Sequence, residues 1–119
     1  MSNSINMLKL LETGIRAESL RQKAIADNVA NLNTPGFKRN DIRFEELLSK
    51  AMNSGGTIDL NDIQAEIYKP MTTPVNGNGN DVSLEHEVGE MVKNSLRHKT
   101  LTLILKKKYM QMETAMRVQ

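Results

Sequence analysis

The sequence predicts an all-α fold: long N- and C-terminal helices paired as a coiled-coil-like hairpin, with a short irregular middle segment. Three observations predict it. Residues 4–33 and 83–117 contain no proline, while Pro35, Pro70 and Pro74 all fall between them. Both stretches carry apolar residues at alternating spacings of three and four, the signature of a helical seam. The intervening stretch is rich in Gly, Asn and Pro and shows no sustained period.

The first helix is expected over 4–33. Leu8, Leu11, Ile15, Ile25, Val29 and Leu32 fit one seam, with Glu18 and Gln22 in the same register as a polar gap. The stop is well marked. Pro35 cannot continue a helix and biases Thr34 to an extended conformation. Pro35 and Gly36 suit the two central positions of a type II turn, where Gly36 supplies the positive φ.

The middle, 37–82, is expected to hold one short helix over 42–52, capped by Asp41, with Phe44, Leu47 and Leu48 on one side. Asn53-Ser54-Gly55-Gly56 breaks it. Residues 58–68 are weakly patterned and read equally as helix, strand or a segment ordered on assembly. Pro70, Pro74 and the Asn-Gly run at 76–80 read as a flexible loop, a tolerant insertion with little to bury.

The second long helix is expected over 83–117. Ser83 is a good N-cap, and Glu85, Glu87 and Glu90 place negative charge near the positive end of the helix dipole. Lys106, Lys107, Lys108 and Arg117 place positive charge toward the other end. Leu84, Val88, Met91, Leu105, Tyr109, Met112 and Met116 continue one heptad register, interrupted by Ser95, His98 and Thr102. A second stripe, Val92, Leu96, Leu103 and Met110, runs along a different face, and with Ile104 it lacks an obvious partner within the chain. Neighbouring chains are the expected partner, since a two-helix hairpin buries less than a globule of the same size. The whole is expected as one elongated domain, 1–119.

Composition removes several function classes. The chain has 119 residues, a net charge of +2, no Cys and no Trp. Thiol chemistry, disulfides and Cys-ligated zinc are excluded. The near-neutral charge and the scarcity of aromatics argue against a nucleic-acid binder. His86 with Glu90 offers only two groups one turn apart, too few for a metal site in a solvated first turn. His98 has no acid or nucleophile at a defined spacing. Lys106, Lys107 and Lys108 point around the helix rather than along one face. No catalytic, metal or cofactor-binding residues are expected, and no enzyme activity. No apolar stretch approaches a membrane span, and the N-terminus lacks the basic and apolar regions of a secretory signal.

One segment is more specific than the rest. Residues 24–38, Ala-Ile-Ala-Asp-Asn-Val-Ala-Asn-Leu-Asn-Thr-Pro-Gly-Phe-Lys, resemble the N-terminal signature of the bacterial flagellar axial proteins, the rod, hook and hook-associated components. Asn28, Val29, Ala30, Asn31, Thr34, Pro35, Gly36, Phe37 and Lys38 match that signature position by position. A capped helix end explains Pro35 and Gly36, but not Asn28, Asn31 and Phe37 together. The short length and the run at 78–87, leading straight into the last helix, resemble the proximal rod family of the FlgB type. Lys93-Asn94, Leu96-Arg97 and Lys107-Lys108-Tyr109 match it too. Ser83 stands where Asp is usual, and His98 where an aromatic is common.

The resemblance implies a structural subunit of the flagellar proximal rod, joining the MS-ring and export gate to the rest of the rod. It implies self-association, other rod proteins, and MS-ring adaptor and export-gate proteins as partners, with no nucleic acid and no membrane insertion. It implies a periplasmic location in the basal body, reached through the flagellar export apparatus without a cleaved signal. On this reading Asn28 and Asn31 satisfy polar groups between packed helices, and Phe37 anchors the turn. The two heptad stripes form an assembly seam within and between chains. Leu96, Leu103, Ile104 and Met110 meet adjacent subunits. The rival reading is a small helical adaptor that binds a partner helix in the cytoplasm.

Overall fold

The computed structural model describes residues 2–53, 60 and 63–118. The element order is α1 (Ser2–Ala30), β1 (Asp41–Arg43), α2 (Glu45–Asn53), β2 (Glu66–Tyr68) and α3 (Leu84–Val118). The long helices have 29 and 35 residues. At ~1.5 Å per residue they run about 43 and 52 Å. They pack side by side and antiparallel, in a molecule measuring 66 × 30 × 15 Å. The expected all-α hairpin with an irregular middle is what forms.

Helix α1 stops at Ala30, three residues before the expected end. Asn31 causes this, because its side-chain amide donates to the Asp27 carbonyl at 2.8 Å and to the Asp27 carboxylate at 3.2 Å. Tight turns follow, with the Leu32 amide donating to Val29 and the Thr34 amide to Asn31. The expected type II turn then forms: the Phe37 amide donates to the Thr34 carbonyl at 3.2 Å, and Gly36 has φ 76°. At the start of α3, the Ser83 hydroxyl accepts from the His86 amide at 3.4 Å, a long version of the expected cap.

The middle departs from expectation in two ways. Ile42 and Arg43 are not helical: β1 pairs antiparallel with β2, with Asp41 opposite Tyr68 and Arg43 opposite Glu66. Asp41 caps no helix: it accepts from the Ile42 amide at 2.7 Å within β1, and α2 begins only at Glu45. Such a short strand is held by a partner far along the chain, so no local period announces it. The middle also has more to bury than its composition suggests. Ile42, Phe44 and Ile63 join Ala17 and Ala24 of α1 in a buried cluster, flanked by Leu20, Leu48, Ala51, Leu60 and Ala65. The breaker at 54–56, and residues 58, 59, 61 and 62 of the weakly patterned stretch 58–68, lie outside the described residues.

Helices α1 and α3 therefore form a two-helix ribbon whose flanks differ. The middle segment covers one flank over part of its length. Among the described residues nothing covers the other.

Candidate assembly site

Polar side chains, not apolar ones, fix the register of the ribbon. Asn28 is fully buried. Its amide donates to the Asn40 carbonyl at 2.8 Å and to Glu87 at 3.2 Å, and its oxygen accepts from the Asn40 amide at 2.7 Å. Glu87 is also fully buried and accepts from Arg39 Nε at 2.7 Å. Burial works against the Arg39 charge, but Glu87, and then Asp41, outweigh it and raise its pKa. The Arg39 amide donates to Asp81 at 2.6 Å. One knot thus ties the end of α1, the start of α3 and the chain between them.

Residues 79–81 complete this elbow. Asn80 is fully buried, its amide donating to the Asn31 and Thr34 carbonyls at 2.8 Å each. Its oxygen accepts from the Val82 amide at 2.7 Å. The Asn-Gly run is therefore an ordered clasp on the helix end, not the flexible loop expected from composition. The carbonyls that a helix end leaves unpaired give Asn80 its partners. Gly36 and Gly79 (φ 86°) touch backbone to backbone: a Cβ on Gly79 would stand 3.3 Å from Gly36 Cα. The Lys38 ammonium donates to the Gly79 carbonyl.

A second polar cluster sits at mid-ribbon. Glu18, nearly fully buried, accepts from Asn94 at 2.9 Å, from Arg97 at 2.9 Å and from Arg21. Arg21 reaches on to Glu45 of α2 at 2.8 Å. Burial opposes the Arg21 charge, and Glu45 and Glu18 overcome it. The expected polar gap is real at Glu18, but its partners are Asn94 and Arg97. Gln22, Ser95 and Thr102 are exposed. Below the cluster the helices close in, with Gly14 against Leu101: a Cβ there would meet the Leu101 side chain at 3.3 Å.

The α3 face that meets α1 therefore runs through Glu87, Asn94 and Leu101. It is turned from the apolar heptad by roughly 70° around the helix. Of the expected seam, Leu11 and Ile25 are buried. Leu8, Ile15, Val29, Leu32, Leu105 and Met112 are half-buried. Leu84, Val88, Met91, Tyr109 and Met116 are exposed, Met116 at 70%. The expectation that these five pair within the chain is corrected, because paired polar groups occupy the inner face instead. Leu8, Ile15 and Val29 point to the same side as those five, so the expected seam lies on the uncovered flank as two apolar stretches separated by Gln22, Ser95, His98 and Thr102. Leu96, Leu103, Ile104 and Met110 are exposed as well.

The signature residues gather at the elbow. Asn28 bridges elements as expected. Asn31 instead caps its own helix and accepts from the Thr34 hydroxyl at 3.1 Å. Val29 is half-buried, and Ala30, Thr34, Pro35 and Gly36 are exposed. Phe37 is half-buried beneath the Lys69 ammonium, 5.0 Å from the ring centroid. Sequence reasoning missed Arg39, Asn80, Asp81 and the burial of Glu87. Charged and amide residues in a Gly-rich stretch give no local sign of partners far along the chain. Among the described residues no group of three or more His, Asp or Glu could hold a metal ion, and no helix is long and apolar enough to cross a membrane. The arrangement offers surfaces and a rigid elbow.

Comparison with known proteins agrees with this geometry. Residues 8–38 match the family described as flagella basal body rod protein. Flagellar basal body rod protein FlgB of Borreliella burgdorferi is 33% identical over 102 residues, covering 71% of this chain and 76% of that protein. FlgB of Bacillus subtilis is 25% identical over 125 residues, covering 98% of this chain and 97% of that protein. A stretch of 53 residues, 44% of this chain, is 38% identical to flagellar basal-body rod protein FlgG of Buchnera aphidicola and spans 20% of it. With its signature folded into the elbow and its similarity to FlgB running the length of the chain, this chain belongs to the FlgB family of flagellar basal body rod proteins.

Proposed function

We propose that this chain is a structural subunit of the flagellar proximal rod, acting as one elongated domain and carrying no catalytic role. It polymerises helically with copies of itself and with other rod proteins. It thereby connects the MS-ring and export gate to the rest of the rod, which makes it necessary for motility. Its contacts at the inner end are with the MS-ring adaptor and the export-gate proteins. It works in the periplasm and arrives through the flagellar export apparatus without a cleaved signal.

The observation that carries this reading is the uncovered apolar flank on a FlgB-family chain. Leu84, Val88, Met91, Tyr109 and Met116 are large, aligned along one side and exposed. Isolated exposed apolar residues are ordinary, whereas groups of them aligned on one side mark an interaction surface. Each side chain removed from water there contributes on the order of 1 kcal/mol. On this reading the strip is the inter-chain part of the seam, and Leu96, Leu103, Ile104 and Met110 meet further subunits. Nothing in the fold or among the relatives favours the adaptor reading.

The test is complementation of a strain lacking this chain. The wild-type chain restores rods and swimming, whereas Met91→Asp, whose position is solvent-facing in the folded subunit, does not. Val29→Asp and Leu105→Asp, at half-buried positions, fail as well. Swimming without the chain sinks the reading. Normal rods built from Met91→Asp sink the assignment of the flank.

A further inference from the structure

Two Asn-Gly pairs stand side by side at the elbow, Asn76-Gly77 and Asn78-Gly79. Such a pair has a chemistry of its own. The side-chain carbonyl carbon of Asn lies within reach of the next backbone nitrogen, and glycine leaves that nitrogen unshielded because it has no Cβ. The letters of the two pairs are the same, and Asn76 and Asn78 are both exposed. Their hydrogen bonds differ.

At Asn78-Gly79 both reacting groups are held. The Gly79 amide donates to the Asn76 carbonyl at 2.9 Å, and Asn78 Oδ1 accepts from the Asn80 amide at 3.1 Å. The Asn78 carbonyl also accepts from the Gly36 amide at 3.0 Å, and Gly79, with φ 86°, lies against Gly36. At Asn76-Gly77 neither reacting group is held. Among the described residues the Asn76 side chain and the Gly77 amide have no hydrogen-bond partner. A Cβ on Gly77 would meet nothing within 4 Å. The Asn76 backbone, by contrast, is part of the clasp: its amide donates to the Asn80 carbonyl at 2.7 Å, and its carbonyl is the acceptor for Gly79.

We infer that Asn76 is a site of spontaneous deamidation in the folded chain, that Asn78 is shielded from it, and that isoaspartate at 76 opens the clasp around Asn80. The Gly77 nitrogen gives its proton to hydroxide and attacks Asn76 Cγ. The N–Cγ bond forms, the Cγ–Nδ2 bond breaks, and ammonia leaves after taking a proton from water. One water then opens the cyclic imide. Breaking the N–Cγ bond gives aspartate. Breaking the bond from the same nitrogen to the Asn76 backbone carbonyl carbon gives isoaspartate. One water enters, one ammonia leaves, and nothing is oxidised. In the isoaspartate form the turn closed by the Gly79 amide carries an extra backbone carbon, and its original acceptor has become part of a charged side group. Reaction at Asn78 must wait for that turn to open, so the fold ranks two identical pairs. The chemistry needs only the folded chain and water, whether or not the chain joins a rod.

Ageing the unaltered chain in heavy-oxygen water at mildly alkaline pH, with and without urea, tests this. Peptides are mapped by mass, and electron-transfer fragmentation separates isoaspartate from aspartate. In the native chain Asn76 should take up heavy oxygen at least about tenfold faster than Asn78, because the bonds that hold Asn78-Gly79 must break first. In urea the two rates should converge. Gly77→Ala, at a position with open space and no positive φ, should remove the lead of Asn76, with circular dichroism showing the helices intact. The isoaspartate form, isolated by chromatography, should exchange its Gly79 amide hydrogen several-fold faster than the unmodified chain. Equal native rates, no conversion at Asn76, or a lead that survives urea or Gly77→Ala overturns the site assignment. An unchanged Gly79 exchange rate overturns the opening of the clasp.

Discussion

The two ends of the ribbon solve opposite problems with the same pair of helices. At the elbow, Asn28, Arg39, Asn80 and Glu87 are buried and bonded to one another or to nearby backbone, so that end is satisfied within one chain. At the end where the termini lie, Tyr109 and Met116 face solvent, and the main polar tie is the Tyr109 hydroxyl donating to Glu12 at 3.0 Å. That hydrogen bond, and the Glu12 charge, raise the Tyr109 pKa. Buried polar networks fix one geometry, while exposed apolar strips wait for a partner. The contrast places rigidity at the elbow and adhesiveness along the helices.

The sharpest way to break the contrast is to unpair the buried charge. Glu87→Ala strands Arg39 and should cost about 3–5 kcal/mol, read as a lower urea midpoint. Replacing both Arg39 and Glu87 by apolar residues of similar volume should recover most of that loss. A small loss from Glu87→Ala would mean that the elbow is not the determined end. Asn80→Ala should come next, at about 1–3 kcal/mol, because the Asn31 and Thr34 carbonyls lose their buried donor. Gly79→Ala should cost about 1–2 kcal/mol through its left-handed backbone, with a further rise from crowding against Gly36. At the other end, Tyr109→Ala and Met116→Ala should leave the isolated chain within about 0.5 kcal/mol of wild type while weakening self-association. Hydrogen exchange sharpens the same point: amides around 78–87 should exchange more slowly than those around 108–117.

Most of the frame was legible in the sequence. The long helices, the type II turn at Thr34, Pro35, Gly36 and Phe37, and the Ser83 start follow from local rules, and local rules are what a sequence displays. The apolar strip was legible too, but not which way it faces. Heptad reasoning turns apolar positions inward, whereas here the inner face of α3 is held by Glu87 and Asn94, whose partners Asn28 and Glu18 lie far back in the chain. A polar residue shows its partner only after folding, so the same letters read as solvent-facing. Asn80 misled for the related reason that an Asn-Gly run looks mobile until a helix end supplies carbonyls for it to bind. The β1 strand was hidden by its brevity and by a partner at Glu66–Tyr68.

The meeting of Gly36 and Gly79 has one more consequence. The chain leaves the elbow after Gly36 and returns to it at Gly79 through nearly a single point. The cost of closing such a loop grows only logarithmically, by about 0.6 kcal/mol for each doubling of its length. Cargo of almost any size could hang there without disturbing the frame. Lengthening the exposed stretch near Val75 by a few tens of residues should barely shift the midpoint of unfolding.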